Sequence, residues 1–215
     1  AALHGDRLPK SLRQKCEELL IDVVGLCVTA RNEDYIKSAL AGCDDEGPCT
    51  AIGHARGFSA ASAAFVNGTA AHGEDFDDTF EGGPVHAGAV IVPAVLAVCE
   101  RHKPDGHAAF FGIAVGTEVM CRLSTVVPKA VHKAGFHPTA VFGAMGAAAG
   151  VGAALGLTAK QIVDALGIAG SMAGGIIEYL AEGAWTKRLH PGWAAQSGIR
   201  AALLARGGFV GPRTV

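Results

Sequence analysis

Three short polar clusters stand out in a chain of 215 residues that carries few charges. The first is Asp75-Phe76-Asp77-Asp78-Thr79, with His86 eleven residues after Asp75. Three carboxylates within four positions repel one another, so they need cations, hydrogen-bond donors or water. Such a run could hold a hard metal ion, or it could orient a catalytic imidazole and hold substrate. It lacks the defined oxygen spacing of a magnesium or calcium site, so no metal is expected. The plain alternative is a helix end with solvated acids. The second cluster is Lys133-Ala134-Gly135-Phe136-His137-Pro138. A residue before proline is biased away from helical geometry, which suits a loop that projects an imidazole into a cavity. The third is Thr186-Lys187-Arg188-Leu189-His190-Pro191, three cationizable groups directly before an expected helix. Helix-start amides together with lysine or arginine favour a carboxylate or phosphate, and a solvated basic turn is the alternative.

Several other chemistries have no support. Gly150-x-Gly152-x-x-x-Gly156 has the wrong spacing for a dinucleotide fingerprint and follows no strand. There is no Gly-x-Ser-x-Gly elbow and no His-Glu-x-x-His helix. A net charge of -2 gives no broad handle for nucleic acid or anionic membranes, and neither is expected as a partner. Hydrophobic residues are 50% and charged residues 18%, which excludes disorder. Mean hydropathy is +0.31, and the run from Pro138 to Ala159 is uncharged. Because that run is mostly alanine and glycine, it reads as a buried helix of a tightly packed bundle rather than a membrane span. No basic segment followed by an apolar one opens the chain, so no secretory leader is expected. Six cysteines show no C-x-x-C pair, only Cys43 and Cys49 falling in an expected loop, which suggests a reducing, cytoplasmic setting without structural metal.

The elements that must position these clusters are helical. Ser11 to Gln14 fits a capping box opening an amphipathic helix to about Thr29. A short helix is predicted over Asp34–Ala41, then loop with one short strand over Gly42–Gly57. Ser59–Ala71 is alanine-rich and helical, and it delivers the acidic run. Further helices are predicted over Ala87–His102, His107–Val126 and the Gly/Ala run to Gly156. Thr158 to Gln161 is another capping box, starting a helix through Gly170, and Pro191–Ala205 forms the last, stopped by Gly207 and Gly208. The expected fold is all-α: a bundle of seven or more helices packed through alanine and glycine. It would occupy residues 1–206, with 207–215 beginning a connection to a second domain.

The stretch Asn67-Gly68-Thr69-Ala70-Ala71-His72-Gly73-Glu74-Asp75-Phe76-Asp77-Asp78-Thr79, followed by His86-Ala87-Gly88-Ala89, resembles the MmgE/PrpD family. Gly135-Phe136-His137-Pro138 and Thr186-Lys187-Arg188-Leu189-His190-Pro191-Gly192-Trp193 are similar to its later motifs, in the same order. The resemblance covers the helical N-terminal half of the family, whose members carry a second α+β domain. It implies a cofactor-independent enzyme, usually a homodimer, acting on a small di- or tricarboxylate. Its members include 2-methylcitrate dehydratases, cis-aconitate decarboxylases and iminodisuccinate epimerases. Carried over by motif, His137, His86, Asp75 and Lys187 would be catalytic, with Thr79, Lys187 and His190 contacting substrate. Each of these reactions makes or protonates a carbanion-like centre beside a carboxylate, which needs a base in reach and donors for the developing charge. His137 is the first candidate for that base and His86 the second. Dehydratases tend to follow the second-motif histidine with Pro-Ser-Asp-Asn, and decarboxylases place proline there with one residue fewer before it. Here His86 is followed by Ala87, Gly88 and Ala89. The expectation is therefore an epimerase-type reaction, with a lyase of the same family as runner-up and a non-catalytic helical fragment as the contrasting possibility.

Overall fold

A computed structural model describes residues 8–127 and 129–215. Residues 1–7, on which the leader expectation and the first part of the expected domain rest, lie outside the described residues. Among the described residues, ten helices and one minimal hairpin follow in order: α1 (Lys10–Ala30), α2 (Asp34–Ala41), β1 (Cys49–Thr50), β2 (Gly57–Phe58), α3 (Ala60–His72), α4 (Gly88–His102), α5 (Gly106–Val126), α6 (Ala130–Lys133), α7 (Pro138–Ala154), α8 (Ala159–Met172), α9 (Tyr179–Glu182) and α10 (Thr186–Arg206). The all-α expectation holds.

Local chemistry explains most boundaries. Ser59 and Asp105 cap α3 and α5 by accepting from the backbone amides of Ser62 and Ala108. Thr158 and Gln161 form the expected reciprocal capping box of α8. The Ser11 box does not form. Pro9, already at φ -51, opens α1 two residues earlier and its carbonyl accepts from Arg13, so Ser11 lies inside the first turn. The last helix also starts earlier than expected, at Thr186, and Pro191 sits inside it. Lys187 and His190 are therefore residues of the helix and not of a turn before it. The loop over 42–57 contributes two paired strands in place of one, Cys49 facing Phe58. The buried Asn67 of α3 holds this hairpin by accepting from the Ile52 amide and donating to the Thr50 carbonyl, both at 2.8 Å. Cys43 and Cys49 are buried, and all six cysteines are free thiols.

α7 is the hub, packed against α4, α5, α8 and α10, with α3 against α10 and α4. Its hydrophobicity runs all round, so it has no solvent face, and almost every residue of it is buried. Small side chains let the backbones touch. A Cβ on Gly112 would stand 2.7 Å from the Gly150 carbonyl oxygen, and one on Gly68 2.7 Å from the Gly192 Cα. The Gly146-xxx-Gly150 spacing thus meets a matching Gly112-xxx-Gly116 on α5, as a seam inside the bundle. α5 itself is long and apolar enough to cross a membrane by length and composition, yet it carries the exposed Arg122–Glu118 pair. The segment after α10 lies along α8, where the buried Gly211 donates to the Asp164 carboxylate.

Candidate functional site

The ends of α3, α4, α7 and α10 meet around four imidazoles. His72 is the last residue of α3, a helix buried nearly all round, so its one ionisable side chain is forced inward. His86 stands just before α4, its amide donating to the Thr139 hydroxyl at 3.2 Å. His137 is the N-cap residue of α7, in the extended conformation that the following proline favours, and its amide donates to the Gly175 carbonyl at 2.8 Å. His190 comes from the second turn of α10 and is buried. The His72 ring lies 4.7 Å from that of His86 and 5.6 Å from that of His137, which in turn is 5.3 Å from His190. Tyr179 of α9 packs edge-on against both His137 and His190.

The three carboxylates of the acidic run go three different ways. Asp75 takes the left-handed conformation at φ +60 and pairs with the Lys187 ammonium at 2.5 Å. Asp77 is fully buried and accepts from His72 Nδ1 at 2.9 Å, with His86 Nδ1 3.4 Å from its other oxygen. Asp78 caps α4 by accepting from the Gly88 amide at 2.7 Å. The solvated-acid alternative is thereby set aside for Asp77 and Asp78.

The electrostatics follow from these contacts. Burial opposes ionisation of Asp77, but the hydrogen bond from His72 and the close His86 ring outweigh it and hold the carboxyl well below the usual carboxylate range. Burial likewise opposes ionisation of Asp75, and the Lys187 contact reverses the balance and lowers it. For Asp78 burial wins and raises the carboxyl. His86 loses basicity by burial and regains more from Asp77, for a net rise. His137 is pushed down to about 2, first by burial and then by its neighbours His72, His190 and Lys187, and His190 down to about 4 for the same leading reason. Both are neutral imidazoles at any ordinary pH.

His72, Asp75, Asp77 and His86 bring one ligand-type atom each to within 4.8 Å of one another. An ion between them would have to displace Lys187 from Asp75 and the imidazoles from Asp77, so the set is balanced by the protein's own groups. Beside it opens a cavity of about 360 Å³ lined by His72, Asp75, Tyr179, Trp185, Lys187 and Arg188. Its lining offers a small anion the Lys187 and Arg188 cations, beside the Asp75 carboxylate and the His72 ring, whose buried Nε2 has no hydrogen-bond partner.

Of the residues singled out from sequence, Asp75 and Lys187 line this cavity, and His86, His137 and His190 lie in the imidazole cluster beside it. Thr79 does not join them: it is exposed and lines a separate cavity with Phe80, Lys129 and Lys133. His190 contacts His137 through a nitrogen–nitrogen hydrogen bond of 3.1 Å, an arrangement different from direct substrate contact. Arg188 donates to the Gly73 carbonyl at 2.8 Å and lies over the Tyr35 ring. Sequence reasoning missed His72 and Tyr179. His72 sits five residues before Asp77 at the end of an alanine-rich helix, a spacing that folds back on itself once the helix ends. Tyr179 belongs to a four-residue helix with no periodic signal.

Comparison with known proteins gives a consistent picture. The sequence profile of the MmgE/PrpD N-terminal domain matches residues 1–215. The cis-aconitate decarboxylase-like protein oryM of Aspergillus oryzae is 31% identical over 97% of this chain and 45% of its own length. A cis-aconitate decarboxylase of Aspergillus terreus is 29% identical over 95% of this chain and 43% of its own. The human cis-aconitate decarboxylase is 40% identical over 71% of this chain and 32% of its own. The chain thus spans less than half the length of the curated relatives it matches.

Proposed function

The chain belongs to the MmgE/PrpD family, and from that premise we propose that it carries the imidazole-rich half of a lyase active site that decarboxylates a small, unsaturated tricarboxylate of the cis-aconitate kind. The observation that carries this is the cavity beside Lys187 and His72, which couples a cation for a carboxylate to a buried set of imidazoles that can move a proton. The names of the relatives favour decarboxylation over the epimerase-type reaction expected from the residues after His86.

Decarboxylation breaks the bond between a carbon and its carboxylate. Carbon dioxide leaves, the electron pair stays on the carbon skeleton, and a proton must then be delivered to carbon. Lys187 would bind a remaining carboxylate and stabilise the charge as it spreads there, exchanging its pairing with Asp75 for one with substrate. Asp77 would hold His72 and His86 in place, and His137 would serve as the acid or base. An epimerase needs the same parts in another order, a proton leaving one face of the α-carbon and another arriving on the opposite face. His86 and His137 are separate groups that could serve the two faces, so this remains the second reading.

The test is a chimera in which this chain replaces the matching half of a cis-aconitate decarboxylase, assayed beside the chain alone. Release of carbon dioxide from cis-aconitate in the chimera, reduced about 10²-fold or more by His137→Gln, is the expected result. Proton exchange at the α-carbon of iminodisuccinate without carbon dioxide release would favour the epimerase. A chimera inert toward both substrates overturns the proposal.

A further inference from the structure

His137 poses a chemical problem for any reaction at this site. A neutral imidazole that gives its ring proton to carbon is left as imidazolate, and one that takes a proton becomes a cation. The cation would be buried beside Lys187 at the amino end of α7, where the helix dipole adds to its cost. The geometry around its second nitrogen offers a way out of both.

His137 Nδ1 and His190 Nδ1 stand 3.1 Å apart, in a buried pair. Two ring nitrogens at hydrogen-bond distance require that one carries the proton and the other does not. With both rings neutral, the pair has two states. In one, His137 donates through Nδ1, its Nε2 is bare, and His190 carries its proton on Nε2. In the other, His190 donates through Nδ1, its Nε2 is bare, and His137 carries its proton on Nε2. His190 Nε2 faces Gly175, where a Cβ would lie only 3.2 Å away, and both residues line a second cavity of about 430 Å³. The absence of a side chain at Gly175, held at φ +107, leaves that nitrogen uncovered.

We propose that His137 and His190 form a neutral tautomeric relay that carries protons between the substrate site and water in the second cavity. When His137 Nε2 gives its proton to a carbanion, His137 Nδ1 takes the proton of His190 Nδ1, and His190 Nε2 takes one from a water molecule of that cavity, leaving a hydroxide that carries the carbanion's charge out to solvent. One proton enters, one crosses and one leaves. Neither ring holds a net charge before or after. Run in reverse, the same three transfers let His137 Nε2 accept a proton from carbon and return one to a hydroxide of the second cavity, giving water. His190 is then a positioning and relay residue, which accounts for its burial away from the Lys187 cavity.

The experiment is nitrogen-15 NMR of the histidine side chains in the labelled chain at neutral pH, with the exchange of ring protons with water measured alongside. In the relay, the Nδ1 signals of His137 and His190 lie between the protonated and bare extremes, because the two states interconvert. His190→Gln keeps a hydrogen bond but cannot pass a proton through. It should fix His137 in one tautomer and slow its ring-proton exchange about tenfold or more. Gly175→Ala provides a second test: its Cβ would crowd Ala140 Cβ at 2.7 Å as well as His190 Nε2, so persistence of the intermediate Nδ1 signals shows that the pair is intact, and exchange with water should then slow. Fully fixed Nδ1 protonation in the unaltered chain, or exchange at His137 unchanged in both variants, would overturn the relay. Its use in turnover rests on His137 as the acid or base of the proposed reaction. Intact tautomer exchange with no effect of His137→Gln on catalysis would therefore refute that role and leave the relay standing.

Discussion

Acidification should destabilise this fold through His137 more than through any carboxylate, and the size of the effect can be worked out. In an unfolded chain an imidazole titrates near about 6.5. In the fold, burial and neighbouring imidazoles hold His137 down to about 2 and His190 down to about 4. Between those limits the unfolded state binds a proton that the native state refuses, so stability is fully present above about pH 6.5 and falls as the pH drops. Each such group contributes a slope of about 1.4 kcal/mol per pH unit. Between about pH 5.5 and 4.5 the pair should therefore cost about 3 kcal/mol, and a His137→Phe protein should lose only about half of that. His86, whose basicity is raised, is protonated in both states over this interval and contributes nothing. Asp78, with its raised carboxyl, works in the opposite direction but does so in both proteins, so it cancels in the comparison. Urea unfolding of the two proteins at the two pH values, followed by circular dichroism, gives the slopes directly. Parallel pH dependence would mean that His137 accepts a proton in the native state, and the neutral-imidazole reasoning would fail with it.

Lys187→Met, introduced into the chimera, should lower kcat about 10²-fold and raise KM as well, because in the proposed role the ammonium would both bind a carboxylate and stabilise developing charge; steady-state kinetics with cis-aconitate checks both. Arg188→Met should act mainly on stability, costing about 1–3 kcal/mol in urea unfolding, since it removes the donor to the buried Gly73 carbonyl. Gly112→Ala should destabilise by about 1–3 kcal/mol, because its Cβ would meet the Gly150 carbonyl oxygen at 2.7 Å. Gly25→Ala in α1 is the matching control: nothing lies within 4 Å of its Cβ, and thermal unfolding should show it neutral or slightly more stable.

The helices were legible wherever capping chemistry and apolar spacing agreed, as at Thr158 of α8, or where proline set the geometry before a helix, as at His137. They were misplaced where proline allowed two solutions. Pro9 could stand outside α1 or at its threshold, and Pro191 could begin α10 or lie in its second turn; the structure takes the earlier start both times. For the site, residue type and motif order brought Asp75, His86, His137, Lys187 and His190 forward, because charged groups are scarce in this chain. Thr79 could not be separated from its acidic neighbours by sequence, since the chain turns sharply between Asp78, which caps α4, and the Phe80–Val85 bridge. The contact between His137 and His190 spans 53 positions and depends on how α7 and α10 cross, which no local pattern encodes.

That crossing has a consequence for how such a site can change. α3 meets α10 at Gly68 and Gly192, and α10 meets α7 where a Cβ on Gly198 would lie 2.7 Å from the Ala148 nitrogen. Where main chain rests on main chain, helix positions are set by covalent dimensions, and no side-chain rotamer is available to absorb a slide. His72, His137, Lys187 and His190 therefore form a stiff anvil, carried on three helices that cannot shear past one another without parting. A cavity that must accommodate a longer or differently branched acid has to do so through the segments that escape this lock, the stretch 73–86 and the stretch 173–185. On the proposed function, substrate range would drift there while the imidazole core keeps its shape.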